Sequence, residues 1–368
     1  MSKSKNTTGS KLVQILLRTL LVIATILVFL AGSLFIMLKK CCSDSNPAAR
    51  DLFVTTILET GQLKFLANLV CSKEQIERIQ AQNTMSTLDD DVDTSFFTTV
   101  LDEEIPTDDG TVEEFDENGI IIEEISGRTF FAKLMIIKDP SQVVLGSTHP
   151  DGNWTEYGED LDVIVKNKGG IAGVNAGIYE STGNKGGKPL GVVVEDHKIT
   201  YNQPTGLPGL YMIGFNDDDI LIIKDISGMS PADFETYVND EHIRDAHCFQ
   251  EESSDTDNHF VSLIINGEPR SIEGKGSGTN PRTAIGQRAD KAVMFLVTDG
   301  RGSHGHLGAT AGDLISILLE HGAVNAANLD GGSSSTMVYH GEYEMPSVTF
   351  YYQNSSWKLP TAFVVMPK

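Results

Sequence analysis

The sequence predicts an α+β protein: a mixed β-sheet domain with packed helices, preceded by one transmembrane helix. Three observations lead there. Leu20 to Leu38 is an uncharged apolar run, about the 20 residues that a helix needs to cross a bilayer. From about residue 120 onward, short apolar runs alternate with Gly, Asp and Asn turns, as strands do. Within that region "GATAGDLISILLEHGAV" has helical periodicity between two apolar runs, so helices accompany the sheet.

With 368 residues, 40% of them hydrophobic, the chain can bury a sizeable core. Acidic residues outnumber basic ones 51 to 28, for a formal charge of -23. Nucleic-acid affinity rests on clustered Lys and Arg, so nucleic acid is set aside as a partner.

Residues 1–19 form a short N-terminal tail and residues 20–38 the span. A cleaved signal peptide would have a shorter apolar region and a small-x-small site at its end; "AGS" at Ala31 to Ser33 lies inside the run, which favours an uncleaved anchor. Lys3, Lys5, Lys11 and Arg18 precede the span, and Lys39, Lys40 and Arg50 follow it. The positive-inside rule then leans toward a cytoplasmic N-terminus, a single pass through the cell membrane and an extracytoplasmic C-terminal domain. Cys41, Cys42, Cys71 and Cys248 have neither metal-ligand nor redox spacing.

Residues 39–85 read as a juxtamembrane helical segment, too interrupted by Glu59, Gly61 and Lys64 for a second span. Residues 86–124 read as an acidic stalk. Asp89 to Glu124 contributes 15 carboxylates, and no Lys or Arg stands between Arg78 and Arg128; such a stretch repels itself. Residues 125–368 then form one mixed, strand-rich domain, in which "FNDDDI" and "INGEPR" are hairpin turns.

The chemistry gathers where apolar runs end. Ala292 to Val297 reads as a strand buried on both faces that stops at Asp299-Gly300-Arg301. A helix follows, with Thr310 as its N-cap and Gly322 as its stop, and a second run ends at Asp330-Gly331-Gly332. If this crossover makes the strands parallel, both Asp-Gly turns and the helix N-terminus emerge at one sheet edge, where ligands gather. Two carboxylates, glycine-exposed amides, Arg301 and the hydroxyls of Ser333, Ser334 and Ser335 suit a polar, partly anionic substrate. Asn175-Ala176-Gly177 and Asn280-Pro281-Arg282-Thr283 are further polar clusters at strand ends. Arg282, next to the glycine-rich "EGKGSGTN", calls for an anion. His304 and His306 have the spacing for a metal but lack a third ligand, and they read as loop histidines. No cofactor and no metal site are expected.

"GVNAGIY", "GNKGGKPLGVVVEDHKI", "NPRTAIG", "VTDGR" and "GATAGDLISILLEHGAVNAANLDGGSSSTM", in that order, resemble the phosphodiester glycosidase family across most of residues 125–368. The anchor and stalk are similar to bacterial surface members. The resemblance implies a phosphodiester glycosidase-like fold and hydrolysis of the C1–O bond of a sugar 1-phosphodiester, in surface polysaccharide or exopolysaccharide metabolism. It implies Asp330 or Asp299 as base or nucleophile and Arg282 or Arg301 as stabiliser of the departing phosphate. Asn175 and the Gly331 and Gly332 amides would orient phosphate or sugar hydroxyls, with Gly177, Thr283, Ser333 and Ser334 beside them. Where many relatives have Phe-Phe, this chain has Ile178-Tyr179, a change that would bear on sugar stacking. Two other readings stay open: a non-catalytic glycan-binding surface protein, and a phosphodiesterase that cuts P–O.

Overall fold

The computed structural model describes residues 6–59, 64–88, 91–97, 114–180, 183–251, 260–349 and 354–368. Helix α1 (Asn6–Cys41) contains the apolar run. Its most apolar 18-residue window within Lys11–Cys41 has a mean hydropathy of 2.8 and is not buried, while Leu38 near its end packs on the short helices that follow. It is the one helix among the described residues long and apolar enough to cross a membrane.

Three short helices follow: α2 (Pro47–Leu58), α3 (Phe65–Val70) and α4 (Lys73–Ala81). Val54, Leu58, Ala67, Val70, Ile76 and Ile79 give them a small core, joined by Cys42 and Cys71. Ser72 and Gln75 close a capping box at the start of α4, which satisfies two orphan amides.

The expected stalk departs from its charge-based reading. Residues 91–97 lie against the sheet domain: Asp91 accepts from Lys224 Nζ at 2.6 Å, and Phe97 is buried among Val192, Ile220 and Phe234. Apolar residues within the acidic stretch supply contacts that a charge count overlooks. The first strand already starts at Ile120, and the expected stalk residues 89–90 and 98–113 lie outside the described residues.

Three sheets enclose one central core. The seven-stranded sheet runs in the order Ile120–Ser126, Phe131–Ile137, Val293–Thr298, Thr283–Arg288, Ala323–Asn328, Ser262–Ile265, Glu268–Pro269. A five-stranded sheet is built around Leu210–Asn216 and Ile243–Gln250, and another around Ala172–Asn175 and Thr361–Val365. Alternate side chains explain the continuous apolar runs. In Val293–Thr298, Val293, Phe295 and Val297 face the shared core, whereas Met294 and Leu296 face the layer that holds α7 (Ala311–Glu320). The other two sheets do the same with α6 (Pro231–Asp240) and α5 (Leu161–Lys168). Each fully buried large apolar side chain contributes about 1.5–3 kcal/mol.

The hairpins form where Asn, Asp and Gly permit positive φ, at Asp219, Asn266 and Gly267. Thr310 caps α7 through a reciprocal bond with Asp313, and Gly322 follows its end at φ 82°. Thr283–Arg288 is antiparallel to both Val293–Thr298 and Ala323–Asn328. The latter two strands are therefore parallel to each other, with a third strand inserted between them. Both Asp-Gly turns leave the same edge of the sheet.

The helical cap α2–α4 is seated on the glycine-rich loop before Arg282. A Cβ on Gly274 would meet Gln82 O at 2.4 Å, one on Gly276 would meet Met85 Cγ at 2.8 Å, and one on Gly278 would meet Thr55 O at 2.6 Å. These glycines are sites of close backbone approach. Gly278→Ala should therefore loosen the cap, by about 1–3 kcal/mol of overpacking. The check is amide exchange in residues 47–58, which should accelerate in the variant relative to α5; unchanged protection there would show that the seat tolerates a methyl group.

Candidate active site

At the edge where the strands of the seven-stranded sheet end, Arg282, Asp299 and Asp330 stand on three neighbouring chain segments, since Leu329 N donates to Thr283 O and Thr298 N to Arg282 O. The two aspartates are two strand spacings apart, about 10 Å between backbones.

Asp330 lies on the floor of this edge, partly open to solvent yet surrounded by protein. Burial pushes its pKa up to about 6, against hydrogen bonds from the Ser334 hydroxyl and the Gly331 backbone and the nearby charge of Arg301. Arg301 Nη1 donates to Ser333 Oγ at 3.0 Å. Burial and the neighbouring Arg282 lower the pKa of Arg301, and Asp330 raises it. Gly332 holds a φ of 66°, and a Cβ there would come within 2.7 Å of Arg301 Nη2. Glycine is needed twice at this position, for the turn and for the arginine. Gly331, Gly332, Ser333, Arg301 and Asp330 thus converge on one partly solvent-accessible patch.

Asn175 and Thr283 are fully buried and do not reach that patch. The Asn175 amide donates to Asp330 O at 2.6 Å, and its carbonyl oxygen accepts from Thr283 Oγ1 at 2.7 Å and from Thr336 N at 3.2 Å. These side chains tie the Asp330 turn to the neighbouring strands. Gly177 is likewise buried, so close to the next strand that a Cβ would meet Cys248 O and His247 Nδ1 at 2.8 Å. The structure places Asn175, Gly177 and Thr283 beneath the patch, buried against neighbouring strands.

Asp299 is also committed. It is 3% exposed; Oδ1 accepts from Phe131 N at 2.8 Å and Oδ2 bonds His306 Nδ1 at 2.6 Å. A carboxylate accepts, so Nδ1 carries the hydrogen of this bond. His304 Nδ1 stands 3.9 Å from the same oxygen. Among the described residues, no three His, Cys, Asp or Glu side chains are grouped to hold a metal ion.

Arg282 does meet an anion, but the anion belongs to the chain. Its Nη2 donates to Glu59 Oε2 at 2.5 Å and to Gly278 O at 3.0 Å, with the guanidinium 5.0 Å over the Phe260 ring. Glu59, at the C-terminal cap of α2, also accepts from Gly278 N and from Asn280 Nδ2 at 2.8 Å. Nothing in the sequence pairs residues 223 positions apart, so this contact was not legible there. Tyr179 and Ser334 were half legible. Ser334 was expected in the site; the Tyr179 ring is buried and turns its hydroxyl to Ser334 Oγ at 2.8 Å.

The family model for phosphodiester glycosidases matches residues 168–366. Among solved structures, the zebrafish N-acetylglucosamine-1-phosphodiester alpha-N-acetylglucosaminidase catalytic domain, auto-inhibited by pro-peptide, superposes with a TM-score of 0.51 at 18% identity, over 68% of this chain and 82% of that one. The SPbeta prophage-derived uncharacterized protein YomE of Bacillus subtilis (strain 168) is 26% identical over 211 residues, 56% of this chain. That match covers only 28% of the length of YomE.

The raised pKa of Asp330 has a consequence for stability. An unfolded aspartate titrates near 3.9 and Asp330 in the fold at about 6, so between these values the fold holds a proton that the unfolded chain releases. Stability contributed by the neutral form is lost as pH rises toward and past 6. Asp330→Asn should therefore stabilise the protein at pH 8, on the order of 1–3 kcal/mol after allowance for solvent screening, and the gain should shrink toward pH 5. Urea denaturation along this series is the check; a gain independent of pH would contradict the burial penalty.

Proposed function

The chain belongs to the phosphodiester glycosidase family, and from that premise we propose that it hydrolyses the C1–O bond of a sugar 1-phosphodiester with Asp330 as base. The observation that carries this reading is that Asp330, whose pKa burial raises to about 6, feels the charge of Arg301, which bonds Ser333 on the patch formed by Gly331, Gly332 and Ser333. At neutral pH such a carboxylate is ionised and still basic enough to take a proton from water. The leaving group is a phosphomonoester, stable as an anion. It needs charge stabilisation more than protonation, and Arg301 supplies it. Asp299, bound to Phe131 and His306, orients that loop and leaves the proton transfer to Asp330.

Helix α1 is the membrane anchor in this reading, with the sheet domain outside the cytoplasm acting on a surface polysaccharide or exopolysaccharide. Glu59 gives the segment after the anchor a second role. Its carboxylate takes the place on Arg282, Gly278 N and Asn280 that a phosphate would take. The zebrafish catalytic domain is auto-inhibited by its pro-peptide; here α2 serves as the cover.

Full-length protein in detergent, offered a panel of sugar 1-phosphodiesters in ¹⁸O-water, should release free sugar that carries the label. Asp330→Asn should cut kcat/KM by about 10²-fold or more. Label in phosphate would mean P–O cleavage, and binding without turnover would mean a glycan-binding protein. Glu59→Gln should raise kcat/KM several-fold, read in the same assay; an unchanged rate would remove the cover from the account.

A further inference from the structure

The loop that carries Arg301 leaves the strand Val293–Thr298 at Asp299 and has turned back by Leu307, whose carbonyl accepts from Arg301 N at 3.1 Å. Gly302 N donates to His306 O at 2.7 Å, and His306 N to Ser303 O at 2.8 Å. Four residues of this loop hold a positive φ: Arg301 at 52°, Gly302 at 89°, His304 at 48° and Gly305 at 85°. Glycine adopts that region freely, whereas a residue with a side chain rarely does. Arg301 stays there only because its surroundings hold it.

The hold is a tie across the loop. His306 Nδ1 reaches back to Asp299 Oδ2 at 2.6 Å. Asp299 is itself fixed to the neighbouring strand, since its Oδ1 accepts from Phe131 N at 2.8 Å and its amide donates to Phe131 O at 2.9 Å. The returning limb is pinned as well: Leu307 N and Gly308 N both donate to Thr129 O at 2.9 Å. The two limbs touch, so that a Cβ on Gly300 would meet Gly308 Cα at 2.7 Å. From this closed loop the Arg301 side chain extends to Ser333 Oγ and lies against Gly332. His304 does not share the tie; it stands 3.9 Å from the Asp299 oxygen, its side chain is 85% exposed, and it bonds Ser303 Oγ at 3.2 Å.

We propose that His306 is a positioning residue for Arg301: by its bond to Asp299 it closes the loop on the backbone conformation that brings the guanidinium to Ser333 and Gly332. The inference rests on the reading of Arg301 as the group that receives the departing phosphate, but the position of the side chain is measurable without turnover. The bond uses the ring nitrogen next to Cγ, which carries the hydrogen whether the ring is neutral or charged, because an ionised carboxylate only accepts. Asparagine offers an N–H on its own Cγ, at the same reach from the backbone. Glutamine offers it one bond further out. The two substitutions therefore separate the tie from the bulk of the ring.

In the full-length protein in detergent, modification of Arg301 by phenylglyoxal, located by mass spectrometry, reads whether the guanidinium is held. His306→Ala and His306→Gln should raise the rate several-fold, with Ser333→Ala as the reference for a released side chain. His306→Asn should restore the native rate, and His304→Ala should leave it unchanged. Arg244, held by Asp219 and Asp245 in another sheet, should stay unmodified throughout. If the alanine variant exposes Arg244 too, the fold has loosened, and the asparagine and glutamine variants decide. A rate unmoved in His306→Gln, or one that asparagine fails to restore, would overturn the proposal. Inorganic phosphate should slow the reaction of Arg301 in the native protein; if the variants behave as stated and phosphate protects nothing, the positioning stands and the phosphate reading of Arg301 fails. Where a substrate of the panel is turned over, His306→Gln should lower kcat/KM by about tenfold or more, and His306→Asn should recover it.

Discussion

The buried amide of Asn175 is the contact on which the site depends. It sits in the five-stranded sheet that contains Thr361–Val365 and accepts from Thr336 N beside the adjoining strand of that sheet, while the carbonyl of Asp330 and the hydroxyl of Thr283 that it binds belong to the seven-stranded sheet and its edge. Two sheets meet at one side chain. Because that side chain has no exposure, an unmatched donor or acceptor there would cost about 1–3 kcal/mol. The geometry is thereby restricted to arrangements in which the Asp330 turn leaves its strand at this one place. An asparagine can do this because it offers a donor and an acceptor in one plane; aspartate would lose the donor to the Asp330 carbonyl.

With the turn fixed, the electrostatics of Asp330 follow. The surrounding protein penalises its charge, and the opposing terms are few: one hydroxyl, one backbone amide and Arg301. Arg301 is itself kept near by the missing side chain at Gly332. The chain thus holds a carboxylate in a setting that stability alone would not select, a pattern that marks sites of function more often than sites of structure. Asp299 illustrates the contrast. It has the same neighbours in sequence, an apolar strand before it and a glycine after it, yet its oxygens are taken by Phe131 and His306 and it is closed to solvent.

That contrast explains what was legible. Strand ends, the Thr310 cap, the hairpin turns and the shared edge of the two Asp-Gly turns are local patterns, set by periodicity and by the φ preferences of Asn, Asp and Gly, and they can be read one segment at a time. Which of two similar aspartates is free depends on what the neighbouring strand offers, here the amide of Phe131, and no spacing rule carries that. The burial of Asn175 and Thr283 was not legible for a related reason. Polar residues at a strand end look alike whether they face a ligand or each other, and only the packing of a second sheet decides.

The glycine-rich loop before Arg282 carries the argument furthest. Exposed amides beside an arginine read as an anion cradle, and the structure puts an anion there, the carboxylate of Glu59, brought by a segment hundreds of residues earlier in the chain. The loop therefore answers to two constraints. At Gly274 and Gly278 the space a side chain would need is held by Gln82 and Thr55 of the helical cap, and at Gly276 by Ile272 and Met85, and the same bareness leaves the Gly278 amide open to an oxygen. A phosphate needs only the second property. A seated helix needs both, and this accounts for three alternate glycines where the binding of a small anion would need fewer.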